Sequence, residues 1–240
     1  MNTKRICLWS SPRNLSTALM YSFAQRKDTI AIDEPLYAHY LRITDADHPG
    51  KEEILQSQEQ DGEKVIQQNI SGEYDKPVVF LKQMTHHLVD ISTDFLSKTH
   101  NIIYIRDPKQ IIASYAQVRK EVTMGDIGMA AQWQLYQFLQ EKKYSCIVLD
   151  SAEILKNPEK VLTELCTALD IPFEPAMLHW QEGPKAEDGI WAKYWYSNVH
   201  RSTGFEKQPT SERPLPEYLE PLYKESKHYY DLLYPHSIKA

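Results

Sequence analysis

Trp9-Ser10-Ser11-Pro12-Arg13-Asn14-Leu15-Ser16-Thr17 is the stretch on which the reading of this chain turns. The apolar run Ile-Cys-Leu-Trp at 6–9 precedes it, and Leu15, Leu19, Met20 and Phe23 follow at helical spacing. A short apolar run, a polar turn and an amphipathic pattern predict strand, loop and helix. The start of a helix offers unpaired N–H groups and the positive end of a dipole, which suits a phosphate or sulfate. Arg13 adds a bidentate cation, and Ser16 and Thr17 add hydroxyl donors. The pattern GxxxxGK[ST] is absent, which disfavours an ordinary P-loop ATPase. The plainer alternative is a polar turn with Asn14 or Ser16 as helix N-cap.

Working outward, four more apolar runs read as strands: 29–32 (Thr-Ile-Ala-Ile), 78–81 (Val-Val-Phe-Leu), 102–105 (Ile-Ile-Tyr-Ile) and 146–149 (Cys-Ile-Val-Leu). Helical spacing follows the fourth, at Ile111, Ile112, Tyr115 and Val118, and the fifth, at Val161, Leu162, Leu165 and Leu169. Unbroken apolar strands alternating with amphipathic helices predict an α/β fold: a parallel sheet of about five strands, covered on both faces. Residues 45–71 are polar and weakly periodic, and read as a helical insertion or lid. A further helix is expected over 128–143. Residues 182–240 are rich in Trp, Tyr and Pro and read as an irregular wrap, then a helix near 218–233. No repeat or linker demands a second domain, so 1–240 is expected to be one. Ligands of such open sheets bind at the carboxyl ends of the strands. That singles out 10–17, 33–35, 82–87, 106–108 and 150–153.

Composition narrows the function. Of 240 residues, 27 are Lys or Arg and 33 are Asp or Glu, a net charge of −6, which argues against a nucleic-acid partner but not against a small anion held by a few local cations. Glycine, at 8 residues, is less than half as frequent as the usual ~7%, so a Gly-rich repeat is excluded. Cys7, Cys146 and Cys166 are odd in number and show no CxxC pair. They read as core residues in a reducing compartment. No apolar run approaches a signal or membrane span, so the chain is expected to be cytoplasmic, without membrane contact.

The fourth strand repeats the theme of the first. Arg106 ends it, Asp107 suits an N-cap, and Pro108 suits the first helical position. Ser114 lies about two turns on, among apolar residues, and needs a polar partner. An anion shared with Arg106 supplies one; a bond back to the preceding turn is the alternative.

Taken together, these segments resemble the PAPS-dependent sulfotransferase family, PAPS being 3′-phosphoadenosine 5′-phosphosulfate. Pro12-Arg13-Asn14-Leu15-Ser16-Thr17 lies without gaps on the family's P-[KR]-S-G-[ST]-T loop. Arg106 and Ser114, eight residues apart, match its 3′-phosphate motif, with Arg106-Asp107-Pro108 as its R-[DN]-P opening. The stretch from Val148 to Glu159 is similar to the family's strand followed by Y-E-D-L-x-x-x-P. Leu165-Cys166-Thr167-Ala168-Leu169-Asp170-Ile171-Pro172-Phe173 is similar to its L-x-x-F-L-G-[IL]-P-F ending. The resemblance implies a P-loop NTPase-like sulfotransferase fold, PAPS as donor, PAP as product and no metal. It implies that Arg13, Asn14, Leu15, Ser16, Thr17, Arg106 and Ser114 hold the donor. Leu15 stands where the family has Gly. Arg13 stands where the small-molecule cytosolic branch has Lys, which is closer to the carbohydrate and bacterial branches.

Sulfonyl transfer needs a base for the acceptor and cations for developing charge. Glu34, in Asp33-Glu34-Pro35, is the first choice of base, from a similar Glu-Pro context in some branches. Lys82 ends the third strand, with His86 and His87 after it. Many cytosolic members carry Lys-Thr-His there, with the His as base, two residues shorter than Lys82-Gln83-Met84-Thr85-His86, so one of His86 and His87 is the alternative base. Arg201, Ser202 and Thr203 fit the basic loop that many members bring over the nucleotide; an exposed turn is the alternative. Trp191, Tyr194, Trp195 and Tyr196 suit either an acceptor pocket or packing. The expected reaction is sulfonate transfer to a hydroxyl or amine of a small-molecule or carbohydrate acceptor. A P-loop-like kinase and a non-catalytic nucleotide-binding module are the competing readings. Acceptor identity and oligomeric state stay open.

Overall fold

A computed structural model describes residues 3–117, 121–206 and 214–240. Val118, expected on the apolar stripe of the fourth helix, lies outside the described residues, as does the 207–213 part of the expected tail.

Alternation along the first strand sets the architecture. In β1 (Lys4–Ser10), Ile6 and Leu8 belong to one apolar cluster, and Cys7 and Trp9 to another. All four are fully buried, so the strand has covered faces on both sides. The remaining strands are β2 (Thr29–Asp33), β3 (Val78–Met84), β4 (His100–Ile105) and β5 (Cys146–Asp150). They form one sheet in the order β2-β3-β1-β4-β5, every pairing parallel. This is the expected α/β fold. β1 lies centrally, with β3 on one side and β4 on the other, so the strand order reverses at its carboxyl end, where such sheets open a crevice.

In chain order the α-helices are α1 (Ser16–Ala24), α2 (Tyr37–Thr44), α3 (Lys51–Ser57), α4 (Gly62–Val65) and α5 (Pro108–Tyr115). They continue with α6 (Met124–Ile127), α7 (Met129–Lys142), α8 (Ser151–Lys156), α9 (Pro158–Ala168), α10 (Ala192–Trp195) and α11 (Glu220–Leu233). Leu19, Met20 and Phe23 of α1 and Val161, Leu162 and Leu165 of α9 cover the face carrying Ile6 and Leu8. Phe23 stacks on Phe80 of β3 at 4.2 Å. Ile111 and Ile112 of α5 and Leu135 and Leu139 of α7 cover the face carrying Cys7 and Trp9. A third cluster joins α2, α3 and α10 through Tyr37, Ala38, Leu41, Ile54, Trp191, Ala192 and Tyr196. The insertion and the tail thus pack on each other beside the end of β2. Cys7 and Cys166 are buried and Cys146 is half-buried, all three as free thiols. Among the described residues no helix is long and apolar enough to cross a membrane.

Candidate functional site

The loop after β1 is held in a shape that its residues do not favour locally. Arg13 has φ 62° and Leu15, the residue before α1, has φ 54°. L-residues pay for this left-handed backbone, and glycine does not. Leu15 therefore takes the conformation for which a Gly is the usual choice. No side chain caps α1. Asn14 instead donates from Nδ2 to the Tyr104 carbonyl on β4, and Ser16 lies inside the first turn. The side-chain N-cap of the plainer alternative, at Asn14 or Ser16, is thus not formed, and Asn14 is bonded to the neighbouring strand instead. Among the described residues no side chain caps the first N–H groups of α1, which belong to residues that line a cavity.

Buried polar groups brace the loop from beneath. Gln132 of α7 donates to the carbonyls of Trp9 (3.2 Å) and Tyr104 (2.7 Å), and Thr85 Oγ1 donates to the Ser10 carbonyl at 3.1 Å. Gly128, at φ 74°, lets α7 begin against Ser11, whose Cβ would lie 3.3 Å from an added Cβ.

Arg106 joins the first motif to the second. It is 6% exposed, and its Nη1 donates to the Arg13 carbonyl at 2.5 Å while Nε donates to Gln110 Oε1 at 3.0 Å. Among the described residues no carboxylate lies within ion-pair distance of it. A buried cation without a counter-ion is costly unless an anion completes it. Arg13 Nε donates to Ser114 Oγ at 3.0 Å, so Arg13, Arg106 and Ser114 meet although 101 positions separate the first from the last. Asp107 caps α5 by accepting from Lys109 N at 2.9 Å, with Pro108 in the first turn, as expected.

The ends of β2 and β3 supply a buried ionic cluster. Lys82 Nζ donates to Asp33 Oδ1 at 2.8 Å, to Glu34 Oε1 and to the Tyr196 hydroxyl at 2.8 Å. Tyr196 donates to Asp33 Oδ2 at 2.7 Å and accepts from Trp191 Nε1 at 3.1 Å, while Gly189 N donates to Asp33 Oδ2 at 3.1 Å. Asp33 is thus satisfied from below. Glu34, at φ 37°, reaches the cavity. Burial pushes the Glu34 carboxyl up to about 7, against the pull of Lys82, with Asp33 adding to the rise. Burial alone lowers Lys82, but the two carboxylates outweigh it and keep Lys82 charged.

His86 and His87 sit beside this cluster. His87 Nε2 lies 3.9 Å from Glu34 Oε2. Its ring stacks between Tyr37 (5.1 Å) and Tyr40 (4.8 Å). Burial holds His86 down to about 4 and His87 well below its usual value, so both are neutral near pH 7. The Nδ1 atoms of both are buried without a partner.

These groups share one cavity of about 210 Å³. It gathers Arg13 to Thr17, Glu34, Lys82, His86, His87, Arg106, Ser114 and Ser202. Arg201 and Thr203 do not line it: Arg201 is exposed and donates to Asn198 Oδ1 at 2.6 Å, and the Thr203 carbonyl accepts from Trp180 N. The 150–153 stretch also lies off the lining. Of the tail aromatics, Trp191, Trp195 and Tyr196 line the cavity, whereas Tyr194 is exposed, its ring close over Gly50. Tyr37, His48 and Phe205 also line it, and the sequence did not single them out. Tyr37 stands one helical turn beyond Glu34, which is the one local signal for it.

The chain matches the family profile described as "Sulfotransferase domain" over residues 4–233. Two curated proteins of Arabidopsis thaliana are similar to it, "Branched-chain-amino-acid aminotransferase-like protein 1" (39% identical over 87% of this chain) and "protein 2" (40% over 82%). The chain spans only 38% and 35% of their lengths. Among solved structures, it is similar to "Sulfotransferase Domain from the Curacin Biosynthetic Pathway", at 17% identity and a TM-score of 0.55, with 97% of this chain and 98% of that one covered. A sulfotransferase from Alicyclobacillus acidocaldarius matches at 14% identity and a TM-score of 0.53, with 98% of each chain covered. At these identities the structural likeness concerns the fold.

Proposed function

The chain belongs to the sulfotransferase domain family, and from that premise we propose that it transfers a sulfonate group from PAPS to a hydroxyl or amine of a small acceptor. The 5′-phosphosulfate sits on the first turn of α1 with Arg13, Ser16 and Thr17, and the 3′-phosphate sits between Arg106 and Ser114. Glu34 takes the acceptor proton. The acceptor oxygen or nitrogen forms a bond to sulfur while the bond from sulfur to the bridging phosphate oxygen breaks. That electron pair leaves on the phosphate of PAP, beside the α1 N–H groups and Arg13. Lys82 holds the Glu34 carboxylate in place. His86 and His87, neutral and buried, shape the wall of the acceptor end. The free thiols fit a reducing, cytoplasmic setting.

The observation that carries this reading is Arg106, a buried cation bonded to the loop carbonyl of Arg13, with no carboxylate within ion-pair distance among the described residues. Thermal unfolding with 3′,5′-adenosine bisphosphate and with ATP tests it. A ligand of the native state alone raises the midpoint. Stabilisation by the bisphosphate without added Mg²⁺ is expected. Stabilisation by ATP and not by the bisphosphate rejects the reading in favour of a kinase. Bisphosphate binding with no turnover of PAPS, whatever acceptor is offered, leaves a binding module.

A further inference from the structure

The floor of the cavity holds one carboxylate more than it has cations. Asp33, Glu34 and Lys82 have side-chain exposures of 1%, 7% and 1%, and the two carboxylates share the single ammonium. The neighbouring ring of His87 is neutral and offsets nothing. Asp33 is occupied by Lys82, Tyr196 and Gly189 N and does not line the cavity, so the surplus charge is presented by Glu34. Holding that charge ionised in the buried site is costly, which is why the Glu34 carboxyl rises to about 7, and a cationic ligand beside it offsets the cost.

The walls around this charge are rings. Tyr37 meets Trp191 at 5.1 Å and 84°, and meets His48 at 5.7 Å and 68°. His48 meets Trp195 at 6.5 Å and 64°. Successive rings meet steeply, so the wall folds around the space rather than running flat beside it, and all four line the cavity. Tyr196 is already engaged by one cation at its hydroxyl edge, where Lys82 Nζ donates at 2.8 Å and lies 5.2 Å from the ring centroid. The cavity's other cations, Arg13 and Arg106, belong to the α1 and α5 side. Arg13 and Arg106 thus lie toward the helix starts and Glu34 lies with the aromatic faces, while Glu206 is a second carboxylate on the lining. Rings with a carboxylate recognise organic cations.

We propose that the acceptor end takes an organic cation, an alcohol or phenol that carries an ammonium or quaternary ammonium group. Its charged head lies against Tyr37, Trp191 and Trp195, and its hydroxyl lies at Glu34. This rests on the sulfonyl-transfer reading. The hydroxyl proton passes to Glu34, the oxygen bonds to sulfur, and the bridging phosphate oxygen departs with its electron pair. The product is a zwitterion, whose new negative charge offsets the cationic head.

Two isosteric pairs test it by calorimetry on the full chain, with and without saturating 3′,5′-adenosine bisphosphate: choline against 3,3-dimethylbutan-1-ol, and tyramine against 4-propylphenol. In at least one pair the cation is expected to bind about tenfold more tightly than its neutral counterpart. Trp195→Leu and Glu34→Gln should each shrink that ratio. Trp195 is only half-buried, which favours a folded variant. Equal affinity within both pairs, or preference for the neutral members, overturns the proposal. Bisphosphate binding without cation preference rejects the cationic acceptor alone. Cation preference without bisphosphate binding rejects the donor assignment and supports the aromatic corner.

Discussion

Glu34 and Arg106 are both buried ions, and their surroundings set them apart. Glu34 shares Lys82 with Asp33, so burial dominates and its carboxyl rises to about 7. As a base it must be ionised, so kcat/KM for sulfonate transfer should fall as pH drops through about 7. A flat profile between pH 6 and 8 would remove Glu34 from the role. Glu34→Gln should lower kcat about 10²-fold or more while bisphosphate affinity persists. The linkage to stability has a defined sign. The folded chain holds the Glu34 proton more tightly than the unfolded chain does, so its contribution is complete below about pH 4.5 and is lost as pH rises through about 7. Denaturant midpoints of Glu34→Gln relative to the native protein should therefore improve from pH 5 to pH 8. Arg106 stands opposite, a cation whose partners are neutral oxygens. Arg106→Ala should remove about 1.5–3 kcal/mol of bisphosphate binding, roughly tenfold to a hundredfold in affinity. Unchanged calorimetric affinity would put the 3′-phosphate elsewhere.

At the scale of elements, the start of α1 and the tail carry the strain and the closure. Leu15 in the left-handed region costs about 1–2 kcal/mol that a glycine avoids. Leu15→Gly should raise the thermal midpoint of the ligand-free protein by about 2–4 °C, the response of a chain this size to about 1 kcal/mol. A fall would mean that the contacts of the Leu15 side chain outweigh its backbone cost. The tail is tied to the sheet through Tyr196, 163 positions from Asp33. Tyr196→Phe strands Trp191 Nε1 and removes a donor from Asp33, and should cost about 1–3 kcal/mol in urea unfolding. A loss within 0.5 kcal/mol, the range of an ordinary surface change, would show that the tail is held by packing alone.

Across the whole molecule the buried histidines set the response to acid. The unfolded chain protonates His86 and His87 below about pH 6.5, whereas the folded chain resists until about 4 for His86 and lower still for His87. Stability from these rings is present above pH 6.5 and lost as pH falls toward 4. Glu34 and Asp150 slope the other way, and His100 slopes with the buried pair. Denaturant midpoints of the ligand-free protein should therefore drop between pH 7 and pH 5. A midpoint that holds or rises over that interval would contradict the neutral histidine pair.

The sheet was legible in the sequence because burial on both faces is written locally, as unbroken runs such as Ile6 to Trp9 and Ile102 to Ile105. The family was legible because its loops lie at strand ends, where a parallel α/β chain turns over, and Arg106 and Ser114 sit two helical turns apart. Glu34, Lys82 and His86 could be nominated for the same reason. What each of them faces was not legible. Lys82 reads as a cation for an anionic ligand, yet it is committed to Asp33, Glu34 and Tyr196, and the last of these arrives from 114 positions away. The neutrality of His86 and His87 follows from the depth to which the insertion and tail cover them. The left-handed backbone of Leu15 belongs to the folded loop, where Asn14 beside it is bonded to β4. The sequence by itself determined the order of strands and helices and the residues at their ends. Tertiary structure alone decided which charges meet and which stay buried, because Coulomb energy and desolvation depend on distance and depth rather than on position along the chain.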